Sequence, residues 1–336
     1  MYNFNIEEFN ENAEKAKKCR TQCEKYAEYF HNRGYDNLVF IGVGATTAEF
    51  TTISQLIKYC SNVETQVVYA ADVLAGNNYR ISEKSIVITG SKSGNTKEVV
   101  ECAKQLTSKN IEVFCITSNE NAPLAKASKY CVPSESTGIE NSYLQFYYFI
   151  FKLLNLRGDF DDYELFAYQL DKYLHPFLKD CREKFDNKAK EFARKYNKEE
   201  FQMWVASGEL HSDAYLFTMC ILEEMQWKKA QAVNSAEFFH GPLELYDDET
   251  LVTLVKGIGK YRELDNRVED FLKKIDGKYE VIDIGEFKDP NIDEKFMVFI
   301  SPMIFASLTT YRIAKYFEFY GGHSLDFRRY YRQFEY

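Results

Sequence analysis

The sequence predicts an α/β protein built from two parallel sheets, and three observations support this. Short apolar segments alternate with longer segments of helical periodicity from Leu38 onward. Strands that alternate with helices along a chain pair in parallel and are covered by helices on both faces. The order of segments then recurs in the second half of the chain, which indicates one unit of about 130 residues used twice.

The first series of elements follows a helical segment at residues 3–32. Apolar runs that end in glycine or hydroxyl residues predict its strands, and stretches with apolar residues three and four apart predict its helices. The predicted strands are 38–44, 65–71, 85–90 and 111–118, and the predicted helices are 46–60, 96–108 and 141–154.

The second series follows charged, amphipathic stretches that predict connecting helices. Its predicted strand-and-turn segments are 202–210, 249–260, 279–285 and 296–303. We therefore expect four regions. These are an N-terminal helical segment (1–34), a first domain (35–157), connecting helices (158–199) and a second domain with the tail (200–336). Each domain is expected to be a three-layer sandwich of the flavodoxin-like or Rossmann-like kind.

Composition restricts the class of function. A net charge of −9 and 45% hydrophobic residues in a chain of 336 residues are typical of a globular protein and argue against a general nucleic-acid binder. No apolar run suggests a signal peptide or a membrane span, so we expect a cytoplasmic protein without a membrane partner. The sequence has no cluster with metal-ligand spacing, and neither a metal nor another cofactor is expected.

The stretch ITGSKSGNTKEVV (88–100) crowds three hydroxyls, Ser91, Ser93 and Thr96, and Gly94 into a turn between a strand and a helix. Backbone N–H groups at a helix N-terminus and side-chain hydroxyls can together bind a phosphate, and glycine lets the anion approach closely. The simpler alternative is that a hydroxyl only caps the helix. The corresponding turn of the second series, VKGIGKY, has none of the three hydroxyls, which favours phosphate binding.

Neighbouring residues are candidates for the same anion site. The turn IGVGATT after the first strand contributes Gly44, Ala45 and Thr46. Lys92 lies within the hydroxyl turn and offsets the acidic charge of the protein there. The patterns GxxxxGK[ST] and GxGxxG are absent at these turns, so neither a P-loop nor a dinucleotide-binding turn is indicated.

With these motifs the chain resembles the sugar-isomerase (SIS) domain family, as two tandem SIS domains from about residue 35 to residue 336. The resemblance rests on SKSGNT (91–96), on GVGATT, and on CILEEMQWKKAQAVNSAEFFHGPLEL (220–245). It implies that Ser91, Ser93 and Thr96 hold the phosphate of a phosphosugar, with Thr46 nearby.

The spacing of Glu224 and His240, followed by Gly-Pro, is more specific. It resembles the isomerase half of glucosamine-6-phosphate synthase and, more closely, the fructosamine-6-phosphate deglycases, as does the ending DFRRYYRQFEY. The resemblance implies that Glu224 is the general base at C1 and C2 of the open-chain sugar. It also implies that His240 assists ring opening or acts as acid, and that it reaches the site from the neighbouring subunit of a homodimer.

The chain departs from the synthase in ways that bear on the reaction. The glutaminase domain is absent. The tail has no lysine at the place of the synthase's C-terminal lysine, which corresponds to the region of Tyr330–Tyr331, and Ile221 stands at the place of a second synthase lysine. A fructosamine 6-phosphate already carries its amine on C1, so the reaction does not need those lysines. We therefore expect a deglycase that releases glucose 6-phosphate and an amine or amino acid.

The sequence alone leaves several assignments open. A phosphosugar aldose–ketose isomerase, an aminosugar-6-phosphate deaminase-isomerase and a non-catalytic phosphosugar sensor are the alternative functions. Glu223 is the alternative base. Further pocket candidates are Glu140, Arg328, Arg329 and Tyr330, and the histidines His211 and His323 are weaker ones.

Overall fold

The structure, a computed structural model, describes residues 1–76, 80–331 and 333–334. The chain divides into two compact units. The N-terminal unit is Asn5–His175, and the C-terminal unit comprises Met1–Phe4 and Pro176–Tyr336.

The N-terminal unit contains one five-stranded parallel sheet in the order β2-β1-β3-β4-β5. Its strands are β1 (Asn37–Gly42), β2 (Glu64–Tyr69), β3 (Ser85–Ser91), β4 (Val113–Thr117) and β5 (Tyr130–Pro133). Its helices are α1 (Ile6–Lys17), α2 (Arg20–Arg33), α3 (Ala45–Ile57), α4 (Ala70–Leu74), α5 (Lys97–Ser108), α6 (Pro123–Ala127), α7 (Ile139–Arg157) and α8 (Tyr163–Gln169), with a π-helical turn at Leu170–Leu174.

Helices cover this sheet on both faces, as a parallel sheet requires. On one face, Val39, Val87 and Val113 pack in a buried cluster with residues of α5. On the other face, Phe114 stacks on Phe149 of α7, with ring centroids 3.9 Å apart. Burial on both faces explains why β1, β3 and β4 read as continuous apolar runs in the sequence.

The C-terminal unit contains a four-stranded parallel sheet in the order β7-β6-β8-β9. Its strands are β6 (Phe201–Ala206), β7 (Lys229–Asn234), β8 (Leu251–Lys256) and β9 (Tyr279–Asp283). Its helices are α9 (His175–Tyr196), α10 (Glu209–Leu216), α11 (Glu224–Gln226), α12 (Arg262–Leu272), α13 (Met297–Leu308) and α14 (Ala314–Gly321). Phe217–Glu223 and Thr309–Ile313 are π-helical, and Phe238–His240, Pro242–Leu245, Ile284–Glu286 and Glu294–Phe296 are 3₁₀ turns.

This second sheet also lies between two helical layers. Met203, Val205 and Val252 pack against Val268 and Leu272 of α12. On the opposite face, the ring of Trp204 lies against those of two phenylalanines, at centroid distances of 4.7 and 5.9 Å. These phenylalanines are Phe217, at 4.7 Å, and Phe192 of α9, at 5.9 Å.

The predicted strand at 296–303 is wrong, because these residues form the end of a 3₁₀ turn and the start of α13. Every residue of α13 except Val298 is buried, so the helix is apolar on all sides and lacks the periodicity that separates helix from strand. The continuous helical stretch Glu294–Gly321 is apolar and long enough to cross a membrane, but 83% of its most apolar window is buried within the protein. It is therefore a core helix.

The two units share a detail at their first strand-to-helix turn. Gly44 after β1 has φ 57° and ψ −131°, and Gly208 after β6 has φ 54° and ψ −128°. This region of positive φ favours glycine. The same backbone conformation at the same place in both sheets supports the inference of a repeated unit.

The carboxylate of Glu112 joins three elements of the N-terminal unit and gives a prediction about acid stability. Although burial works to raise the pKa of Glu112, hydrogen bonds from Tyr130, Tyr29, Lys129 and Arg33 outweigh it and lower this pKa to about 2. Because the pKa is below its unfolded value, the stabilisation is present above about pH 4.5 and is lost as the pH falls toward 2.

We expect Glu112→Gln to lower the stability of the protein at pH 7 by about 1–2 kcal/mol, after allowance for solvent screening, and by much less at pH 2. Chemical denaturation of both proteins at pH 7 and at low pH measures this. Equal destabilisation at all pH values would show that the carboxylate charge is not the stabilising feature.

Candidate functional site

The hydroxyl turn joins β3 to α5, and the structure brings its three hydroxyls together. Ser91 Oγ lies 2.9 Å from Thr96 Oγ1 and 3.5 Å from Ser93 Oγ, and it accepts a hydrogen bond from the Gly94 N–H at 3.1 Å. Thr96 occupies the N-cap position of α5 but makes no side-chain cap bond. Capping by Thr96 is therefore not what holds this turn in shape, and its hydroxyl instead lies beside that of Ser91.

Gly94 is required at its position by two constraints. Its φ is +65°, a region that side chains rarely adopt. A Cβ atom here would lie 2.4 Å from Ala122 Cβ and 2.5 Å from Thr117 Oγ1. The turn thus packs directly against the loop after β4, and Thr117 Oγ1 donates to the Ser91 carbonyl at 2.7 Å.

The hydroxyl turn lies at the point where the chain changes direction along the sheet. The connection from β1 runs to β2 on one side, whereas β3 lies on the other side of β1. Connections that diverge in this way leave a crevice at the carboxyl ends of the two strands, where α/β proteins bind ligands. The two turns singled out from the sequence, IGVGATT and SKSGNT, follow β1 and β3.

The first turn of α3 adds Thr47, which was not among the site residues predicted from the sequence. Gly44 is the N-cap of α3, and Ala45 and Thr46 form the start of the helix, both half-buried. The next residue, Thr47, is only 8% exposed, and its hydroxyl has no hydrogen-bond partner in the structure. An unpaired buried hydroxyl is uncommon because it loses its hydrogen bonds to water. The repeated threonine in GATT was the available signal.

The corresponding crevice of the C-terminal unit, between β6 and β8, contains a side chain. A Cβ atom at Gly208 would lie 2.2 Å from the ring of Tyr261, and Ser207 Oγ donates to the Tyr261 carbonyl at 3.2 Å. Tyr261 is the last residue of VKGIGKY, the turn that has no hydroxyls. Its ring therefore fills the position where the N-terminal unit has an open turn.

The two remaining site candidates of the N-terminal unit differ in their exposure to solvent. Lys92 is exposed on the hydroxyl turn. Glu140 is 3% exposed in the first turn of α7.

Glu224 lies where a π-helical segment passes into a short helix. The π-helical residues Phe217–Glu223 precede it, and three residues later Trp227 ends the helix with φ +53°, which is rare for a residue other than glycine. Wide π-helical turns are frequent at functional positions. Burial raises the pKa of the neighbouring Glu223.

The carboxylate of Glu224 lines a cavity of about 610 Å³ within the C-terminal unit. The structure also places all three of the tail residues predicted for the pocket, Arg328, Arg329 and Tyr330, along this cavity. Arg328 Nε lies 2.8 Å from Glu224 Oε1. The Arg329 guanidinium lies 4.2 Å from the ring centre of Trp227, a cation–π contact.

The histidines take different positions. The ring of His323 lies against Trp227, with centroids 4.3 Å apart, beside the cavity. His211 is on α10, and burial lowers its pKa. His240 ends the 3₁₀ turn Phe238–His240, is exposed, and does not line the cavity of Glu224. The structure therefore does not bring Glu224 and His240 together in this cavity.

Within residues 1–76, 80–331 and 333–334, no group of three or more His, Cys, Asp or Glu side chains is arranged to hold a metal ion.

Comparisons with known proteins bear on the family and the fold of the chain. Residues 34–146 match the family model of the SIS domain. The chain is 26% identical over 292 residues to fructosamine deglycase FrlB of Bacillus subtilis, covering 85% of this chain and 89% of the relative. It is 21% identical over 300 residues to fructoselysine 6-phosphate deglycase of Escherichia coli, covering 89% of this chain and 86% of the relative.

Solved structures are similar to this chain in fold over nearly its whole length. A putative phosphosugar isomerase from Bacillus subtilis superposes with a TM-score of 0.86 at 26% identity, covering 95% of this chain and 99% of the other. The C-terminal domain of glucosamine-fructose-6-phosphate aminotransferase from Francisella tularensis shares the fold, with a TM-score of 0.80 at 15% identity, covering 96% and 97%. Residues 34–146 therefore match the SIS domain family, and over most of its length the chain is similar to fructosamine and fructoselysine 6-phosphate deglycases.

Proposed function

We propose that this protein is a deglycase that cleaves a fructosamine 6-phosphate into glucose 6-phosphate and a free amine or amino acid. The observation that carries the proposal is the cavity lined by Glu224, Trp227 and the tail, because it combines a carboxylate base with cationic and aromatic side chains. The relatives named as deglycases over more than four fifths of the chain support the same reaction.

The phosphate is held, in this proposal, by the hydroxyl turn of the N-terminal unit. The hydroxyl of Ser91 lies within hydrogen-bond distance of those of Ser93 and Thr96 at the N-terminus of α5, a helix of 12 residues. The backbone amides and the helix dipole favour an anion there. Thr46 and the exposed Lys92 are the proposed additional contacts.

The reaction proceeds by proton transfer. His240 assists opening of the sugar ring, and Glu224 removes a proton from C1 to give an enaminol. Return of a proton to C2 produces an imine at C1, and water hydrolyses this imine to the aldehyde of glucose 6-phosphate and the free amine. No lysine is needed because the substrate itself supplies the nitrogen.

The proposal extends to the organisation of the protein. We infer that the C-terminal unit is a second SIS domain, since its four strands follow the order of the first four strands of the N-terminal sheet and the two units share the conformation of their first glycine turn. We also propose a cytoplasmic homodimer in which His240 acts in the partner subunit. The exposed position of His240 at the end of a 3₁₀ turn supports that role.

The function is tested by incubating the purified protein with fructosamine 6-phosphates of several amino acids and measuring glucose 6-phosphate with a coupled dehydrogenase. We expect release of glucose 6-phosphate together with an equal amount of amino acid. Interconversion of fructose 6-phosphate and glucose 6-phosphate without deglycation would instead indicate an isomerase. No reaction in either assay, combined with phosphosugar binding, would indicate a sensor.

Glu224→Gln is expected to lower kcat by about 10²–10⁴-fold, because the amide keeps the size of the side chain but cannot accept the C1 proton. Glu223→Gln is the matched control, since Glu223 lines the same cavity one residue away. Steady-state kinetics of both variants measure the difference. Full activity of Glu224→Gln with loss in Glu223→Gln would move the base to Glu223.

Ser91→Ala and Thr96→Ala are each expected to raise KM for the phosphorylated substrate by about 10- to 100-fold, because each removes a hydrogen bond to a charged group. Inhibition by inorganic phosphate should weaken in parallel. Ser108→Ala is the control, since Ser108 is an exposed hydroxyl at the opposite end of α5. An unchanged KM in both variants would remove the phosphate from this turn.

A further inference from the structure

The proposed base is engaged by an arginine of the C-terminal tail. Arg328 Nε lies 2.8 Å from Glu224 Oε1, and the two side chains are 19% and 30% exposed. The Arg328 Nη1 group donates to the carbonyls of Leu325 and Phe327, each at 2.8 Å. The tail backbone thus fixes the arginine while one edge of its guanidinium faces the base.

This ion pair occupies one of the two oxygens that Glu224 would use to remove a proton. An anion that binds Arg328 in place of Glu224 frees that oxygen. Arginine is well suited to such an exchange because its planar guanidinium binds carboxylates with directed hydrogen bonds. The question is which anion reaches this position.

The charges around the cavity favour an anion with an organic part. Four basic side chains line it, Lys228, Lys229, Arg328 and Arg329, against the two carboxylates of Glu223 and Glu224. Trp227 and Tyr330 add aromatic surface to the lining. A small amphipathic anion such as an amino acid fits this combination better than a neutral alkyl group.

The chemistry of the substrate places such an anion next to the base. Glu224 acts on C1, and the amine nitrogen is bonded to C1, whereas the phosphate is at C6. Whatever the amine carries therefore lies beside the base. When the amine comes from an amino acid, the anion at this end of the substrate is its carboxylate.

We propose that Arg328 binds the carboxylate of the substrate's amino acid, and that this carboxylate replaces Glu224 as its partner and frees the base. The protein would then select fructosamine 6-phosphates derived from amino acids over those derived from neutral amines. This inference rests on the proposed deglycase function. Arg329 is the less suitable ligand because its guanidinium is stacked on Trp227.

Two substrates of nearly equal size test the proposal, fructosyl-glycine 6-phosphate and fructosyl-glycinamide 6-phosphate, which differ only in carboxylate and amide. The wild-type protein is expected to prefer the glycine compound in kcat/KM. Arg328→Gln should lower kcat/KM for the glycine compound by about 10- to 100-fold and should not lower that for the glycinamide compound, because the substitution also releases Glu224 from its ion pair. Arg328→Lys should restore part of the preference. Arg194→Gln, on the exposed face of α9, is the control and should behave as wild type.

Three results would overturn the inference. Equal loss on both substrates in Arg328→Gln would mean that Arg328 binds the phosphate or only anchors the tail. Loss of the preference in Arg329→Gln alone would assign the carboxylate to Arg329. Equal turnover of the two substrates by the wild-type protein would mean that the carboxylate is not recognised. If neither substrate yields glucose 6-phosphate with the wild-type protein, the proposed function itself fails, a result distinct from these three.

Discussion

One constraint governs where a ligand site can form in each unit. At the centre of each parallel sheet, successive crossover connections leave in opposite directions along the sheet. Parallel strands need crossovers, and where successive crossovers leave in opposite directions a crevice remains at the carboxyl ends of the strands. In the N-terminal unit this point lies between β1 and β3. The turns after these two strands carry the hydroxyls and glycines that suit an anion, because the fold leaves that place open.

The two units use the same geometry differently. In the N-terminal unit the hydroxyls of Ser91 and Thr96 face each other across an open turn. In the C-terminal unit the ring of Tyr261 packs against Gly208 at the equivalent point. The second unit instead presents a cavity at Glu224, beyond its π-helical segment, bounded by the tail. In the function that we propose, the N-terminal unit binds the anion and the C-terminal unit supplies the base.

The sequence predicted most of the fold because strands buried on both faces leave continuous apolar runs. β1, β3, β4, β6 and β8 were found in this way, and the partly buried edge strands β2 and β9 were also predicted. The edge strand β7 was not predicted, because KAQAVN is polar and only partly buried. The strand predicted at 296–303 was wrong because α13 is apolar on every side and therefore resembles a buried strand in the sequence. Pro302 lies within the helix and does not mark its end.

The residues of the candidate site could be predicted where they form a short sequence motif. Contacts between segments that are distant in the sequence could not. The hydroxyl turn and the tail residues Arg328 and Arg329 were proposed from sequence. The contact of Arg328 with Glu224, the role of Trp227 in ending the helix and the buried hydroxyl of Thr47 required coordinates. The contact between Arg328 and Glu224 joins residues about a hundred positions apart and depends on how the tail packs. A local sequence pattern does not predict such packing.

The most direct test of the account is the fate of protons at C1 and C2 of the sugar. With a fructosamine 6-phosphate as substrate in D₂O, removal of a C1 proton by Glu224 and return of a solvent-derived proton to C2 predict glucose 6-phosphate with deuterium at C2, detectable by NMR. Glucose 6-phosphate formed without deuterium at C2 would contradict the return of a solvent-derived proton and would show that the C1 hydrogen is transferred directly to C2, and no glucose 6-phosphate at all would contradict the deglycase function.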